Sequence, residues 1–175
     1  MKPFFLLIFL FALVISAVPG HSSTRVALVI GNGDYRSAPL QNPVNDAGDM
    51  AKLLLSLGFE VISRTNVDKR GMLKAVNSFS KKLRRSEIGL FFFAGHGMQV
   101  DGHNYLIPIG VNVMEENDVE FEAIDASRII AKMRDAENPL NIVILDACRN
   151  NPFKRSFRSS TQGLARMDAP KGTII

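Results

Sequence analysis

The chain of 175 residues holds one cysteine, Cys148, and three histidines, His21, His96 and His103. A lone cysteine cannot close an internal disulfide. It is buried and inert, paired between chains, or kept as a reactive thiol. Burial is the common fate of cysteines in general. Two features favour reactivity here. Cys148 lies just past a short apolar run, in the string DACRN, beside Asp146 and Arg149. His96 lies 52 positions earlier, in AGHG, also just past an apolar run. A nucleophilic thiol needs a base to take its proton and return it to a leaving amine. It also needs donors for the oxyanion, commonly backbone N–H groups. The amides of Gly97 and Cys148 are the candidates, because glycines on both sides of His96 leave backbone accessible. His103, in the turn-like DGHN, reads as a solvated loop histidine, and His21 carries no signal.

Both residues are positioned by alternating elements. Arg25 to Ile30 is a short β-branched run ending at Gly31, the pattern of a buried strand. Asn42-Pro43 opens a helix, with Asn as N-cap and Pro in the first turn. Its apolar positions Val44, Ala47, Ala51, Leu54 and Leu55 recur at helical spacing until Gly58. Phe59 to Ser63 is a second strand. A helix begins near Asp68, with Met72, Leu73, Val76, Phe79 and Leu83 on one face. Ile88 to Ala94 is the most apolar strand, suited to a sheet covered on both faces. The following GHGMQVDG reads as a glycine-rich loop, and Asn104 to Ile107 as a short extra strand. An acidic loop runs from Glu115 to Asp125, and a helix from Ala126 to Ala136. Asn141 to Leu145 is a further strand, and the closing GTII resembles the start of another. This order predicts an α/β domain with a mostly parallel sheet. In such sheets ligands bind at the carboxyl ends of the strands, where GNGDY, AGHGMQ and DACRNN lie.

Length suits a single domain, and composition is ordinary for a globular protein. Net charge is +4. The dense basic stretch Lys81, Lys82, Arg84 and Arg85 closes a predicted helix, where cations complement the dipole; a solvated face is preferred to a nucleic-acid patch. The first twenty residues stand apart. Lys2, an apolar run from Phe4 to Ile15 and small residues at Ser16, Ala17 and Gly20 have the order of a secretory signal peptide. The run is short for a membrane span, so export to the periplasm or beyond is expected, with no stable membrane insertion. An uncleaved anchor is the alternative. Residues 1–20 are thus read as a signal and residues 24–175 as the domain. GNGDY after the first strand has the look of a dinucleotide fingerprint but lacks its third glycine. A nucleotide-binding reading rests on that loop alone.

Taken in order, ALVIGNGDY, NPVNDA, GLFFFAGHGMQ, NYLIP and NIVILDACRNNPF resemble the caspase-like cysteine peptidases, above all bacterial relatives of paracaspases and metacaspases. The resemblance runs from Arg25 to the end. Asp146 and Asn150 depart from the caspase pattern around the cysteine, which has glutamine and glycine. The resemblance implies a three-layer αβα sandwich, with a twisted, mostly parallel sheet of about six strands between helices. It implies peptide-bond hydrolysis by a Cys148–His96 dyad on protein or peptide substrates. It also implies cleavage after arginine or lysine, since paracaspases and metacaspases carry acidic residues at positions matching Asp46 and Asp146. From the residues alone, Asp46 equally complements a helix N-terminus, and Asp146 equally caps loop amides. Metacaspases often require calcium. The acidic loop at Glu115, Glu116, Asp118, Glu120 and Glu122 lacks EF-hand spacing, so neither a metal nor another cofactor is expected. A homodimer through a sheet edge is plausible by family analogy. Relatives continue with further strands, and the sheet here is expected to lack those C-terminal members. The alternative function is therefore a catalytically inactive binding or regulatory module.

Overall fold

In the computed structural model, residues 24–148 and 164–175 are described, Cys148 through its backbone alone. The predicted signal peptide, Arg149 and Asn150 lie outside these residues. The elements are β1 (Arg25–Gly31), α1 (Pro43–Ser56), β2 (Phe59–Thr65), α2 (Lys69–Leu83), β3 (Ile88–Val100), β4 (His103–Leu106), α3 (Asp118–Glu122), β5 (Ile124–Asp125), α4 (Ala126–Arg134), β6 (Leu140–Cys148) and β7 (Thr173–Ile174). Strands β2, β1, β3, β6 and β7 run parallel in that spatial order. This is the α/β architecture that the alternation of elements predicts.

Why β3 is so apolar follows from its place at the centre. Leu90, Phe92 and Ala94 point to one face, where they pack with Ala47, Ala51 and Leu54 of α1. Phe91 and Phe93 point to the other, against Met72, Val76 and Phe79 of α2 and Ile129 and Met133 of α4. Strand alternation thus feeds two cores from one run. The three layers are α1, the sheet, and the pair α2 and α4. Phe79, 1% exposed, anchors the larger core, and its truncation to alanine carries a cost of about 3–5 kcal/mol.

Local sequence explains most boundaries. Asp68 caps α2, its carboxylate accepting from Gly71 N–H at 2.7 Å. Asp125 caps α4 through Ser127 N–H at 2.8 Å. Pro43 opens α1, but the Asn42 side chain makes no capping bond there. Gly58, at φ 79°, ends the turn after α1.

Several predicted loops are structured. The GHGMQ segment continues β3 as strand up to Val100, where it pairs antiparallel with β4. The edge of β3 that β1 leaves after Gly31 is taken over by β4, so the extra residues find a new partner. His103, read as a loop residue, is the exposed first residue of β4, 3.5 Å from the Asp125 carboxylate. The acidic loop holds α3 and β5, and the Asp118 carboxylate accepts from the amides of Met114 and Glu115. Strand β6 extends three residues beyond Leu145 and includes Asp146 and Cys148. Thr173–Ile174 pairs with β6, as the closing GTII run suggests.

Candidate active site

At the carboxyl ends of the central strands, β3 and β6 stay paired through their last register position, His96 opposite Cys148. Adjacent strands lie about 4.8 Å apart, so partners on one face are within side-chain reach. The ladder brings together two residues 52 positions apart in sequence.

His96 is 3% exposed. Its Nε2 lies 2.7 Å from the carbonyl oxygen of Ala38. A carbonyl only accepts, so Nε2 carries the hydrogen and Nδ1 carries the lone pair. Nδ1 is buried and has no hydrogen-bond partner among the described residues. Burial pushes the imidazole pKa below its ordinary 6.5, and the Ala38 bond opposes this in part. The ring is therefore neutral at pH 7, with a free basic nitrogen.

Tyr35 holds the backbone of this histidine. Its hydroxyl accepts from His96 N–H at 3.1 Å and donates to Ile107 C=O at 2.9 Å. Its ring packs on the imidazole, centroids 4.4 Å apart and planes tilted by 52°. Gly95, at φ 157°, brings the strand close to this tyrosine; a Cβ there would meet the Tyr35 hydroxyl at 2.7 Å. A Cβ on Gly97 would meet that of Ala147 at 2.8 Å. Contact thus requires glycine on both sides of His96.

Ile107 N–H donates to His96 C=O at 3.0 Å. Gly97 and Leu106 are therefore a non-hydrogen-bonded pair, and Gly97 N–H turns away from β4 toward the side of β6. The amide of Cys148 closes the β3–β6 ladder.

Asp146 lies in register with Ala94, two residues before Cys148. Alternation along β6 places it on the face that Ile142 presents to the α1 core. Asp46 is in the first turn of α1, on the same side of the sheet. Both are exposed, and neither carboxylate has a hydrogen bond or ion pair among the described residues. The two aspartates share a face and an end of the sheet.

The GNGDY loop is braced from within. The buried Asn32 side chain accepts from Val67 N–H at 3.0 Å, and the Asn66 side chain accepts from Gly33 N–H at 2.8 Å. A Cβ on Gly31 would fall 2.3 Å from Pro43 C=O. These glycines serve the packing of α1 on β1, and the Gly33 amide is committed internally rather than presented to a phosphate. No cluster of three or more metal-ligating side chains exists among the described residues. Tyr35 and Ala38 carry no chemical motif in the sequence; only the fold brings them to His96.

Comparisons with known proteins agree with this fold. A family model described as the caspase domain matches residues 24–173. The human mucosa-associated lymphoid tissue lymphoma translocation protein 1 is 33% identical over 127 residues, covering 71% of this chain and 15% of that protein. Its mouse homologue is 32% identical over the same length and shares. The chain therefore spans about 15% of the length of these relatives. The crystal structure of the Drosophila initiator caspase Dronc matches with a TM-score of 0.55 at 17% identity, covering 72% of this chain and 49% of that one. A structural-genomics protein of Geobacter sulfurreducens matches with a TM-score of 0.55 at 15% identity, covering 71% and 50%. At these identities the two structures show a shared fold.

Proposed function

This chain belongs to the caspase-domain family of cysteine peptidases, and from that premise we propose that it is an endopeptidase cutting after arginine or lysine with a Cys148–His96 dyad. The observation that carries the reading is the His96 ring: opposite Cys148 in register, tied at Nε2 to Ala38, and unpartnered at Nδ1.

The proposed chemistry follows from that tautomer. Nδ1 takes the proton of the Cys148 thiol, and the thiolate attacks the scissile carbonyl carbon. The carbonyl oxygen becomes an oxyanion; its proposed donors, the amides of Gly97 and Cys148, lie in the last rung of the β3–β6 ladder and serve once that rung opens. The proton on Nδ1 passes to the leaving amine as the C–N bond breaks, leaving a thioester. Water, deprotonated by the same nitrogen, releases the acid and restores the thiol. Throughout, Ala38 C=O keeps the ring oriented and shares the charge of the transient imidazolium.

Asp46 and Asp146 are proposed to receive the basic side chain before the cut. Both carboxylates lie at the carboxyl end of the sheet, unpaired among the described residues. A guanidinium between two carboxylates gains charge-assisted hydrogen bonds that an aspartyl substrate cannot make.

The deciding experiment is labelling by a peptidyl electrophile that carries arginine. Wild type is expected to label once per chain and Cys148→Ser not at all. Labelling that persists in Cys148→Ser refutes the nucleophile. A folded wild type that takes no label supports the inactive binding module instead. Export, expected from residues 1–20, is checked by intact mass: secreted chains should start near residues 18–21.

A further inference from the structure

The end of the domain opposite His96 carries an unassigned surface. The amino ends of β1 and β2 and the carboxyl end of α2 enclose a groove of about 930 Å³, lined by Arg25, Lys81, Lys82, Arg84 and Arg85 with Glu60 as its one acid. Lys82 pairs with Glu60 at 2.5 Å. Lys81, Arg84 and Arg85 are exposed and form no ion pair among the described residues.

Beside this groove lies exposed apolar surface. Leu53 and Leu57, one turn apart at the end of α1, are 54% and 50% exposed. The Arg25 guanidinium donates to Leu57 C=O at 2.8 Å, which ties the end of α1 to the basic lip. Thr24, the first described residue, donates its hydroxyl to Arg85 C=O at 2.7 Å, so the chain enters the domain at this same corner.

We infer that this face docks on an anionic lipid surface. Cations that stay unpaired suit phosphate headgroups, and leucines beside them suit the headgroup–acyl boundary. A nucleic acid would use the cations but not the leucines, and the groove has no aromatic side chain on which bases could stack. Docked this way, the domain points the carboxyl ends of its strands, with His96 and Cys148, away from the bilayer.

The test is co-sedimentation of the full chain with vesicles of phosphatidylcholine, with and without phosphatidylglycerol. An apolar N-terminal segment binds both kinds alike, so dependence on lipid charge reads the groove itself. Binding is expected to be stronger with phosphatidylglycerol than without it, and that difference to shrink as salt rises from about 0.1 M to about 1 M. The triple variant Lys81→Ala, Arg84→Ala, Arg85→Ala should bind about 100-fold more weakly, at about fivefold per cation. Leu53→Ser with Leu57→Ser should weaken it further. These side chains are exposed, so circular dichroism should show an unchanged fold. Equal binding to both vesicle types, or a triple variant that binds like wild type, overturns the proposal. So does binding to duplex DNA with none to anionic vesicles.

Discussion

Replacing Tyr35 by phenylalanine removes one oxygen and keeps the ring that packs on His96. That oxygen is the acceptor for His96 N–H at 3.1 Å, in a buried site. Without it the amide is orphaned, which costs about 1–3 kcal/mol. Ile107 C=O loses its donor at 2.9 Å but keeps Asn32 Nδ2 at 3.4 Å, so its share is small. A net loss of about 2 kcal/mol follows, and a fall in Tm of about 4–8 °C for a domain of this size. Catalysis should suffer separately, because the backbone that aims the imidazole is released. Misplacement of a catalytic group by about 1 Å can cost up to about 100-fold, so a partial shift should slow labelling of Cys148 by about tenfold. The assay pairs thermal unfolding by circular dichroism with the rate of labelling by the arginyl electrophile. A Tyr35→Phe protein with wild-type Tm and wild-type labelling rate would refute the claim that this hydroxyl holds His96. Loss of stability with an unchanged rate would confine Tyr35 to the fold.

In Cys148→Ser, which leaves the imidazole without a thiol neighbour, the His96 ring should titrate below 6.5 by NMR, as its burial requires; a midpoint above 7 contradicts the buried neutral ring. The linked effect on stability has a definite sign. The native ring binds its proton less readily than the unfolded one, so its contribution is whole above about pH 6.5 and is lost as pH falls through the lowered native value. Asp46→Ala and Asp146→Ala should each change stability by less than about 0.5 kcal/mol, since both are exposed, while lowering cleavage of arginyl substrates; unchanged arginine preference in both removes them from the pocket. Asn104→Ala deprives Ala165 of a donor at 2.8 Å and an acceptor at 2.6 Å; a destabilisation of about 2 kcal/mol and faster proteolysis near residue 165 are expected. Gly97→Ala drives a methyl toward Ala147 and should cost about 1–3 kcal/mol in denaturant unfolding.

Hydrophobic pattern and residue type were enough to locate β1, α1, β2, α2 and the centre of β3, because the apolar residues that pack each one are written locally. They were enough, too, to single out His96 and Cys148 and to put both at the same end of a parallel sheet. Extended strand ends were harder. Residues 95–100 are glycine-rich and half polar, the composition of a loop, yet they stay in the sheet because β4, folding back from a turn at Asp101 and Gly102, covers the edge that β1 vacates. That partner is not visible in the local pattern. The histidine tautomer lay further out of reach. It is set by a backbone carbonyl at Ala38, 58 residues away, and every residue type supplies the same carbonyl. Tyr35 likewise shows no role within GNGDY until the tertiary fold sets its hydroxyl between His96 and Ile107. Sequence determined which side chains are chemically able to act; only the packed chain decided which nitrogen carries the proton, because that depends on backbone groups whose identity the side-chain code does not record.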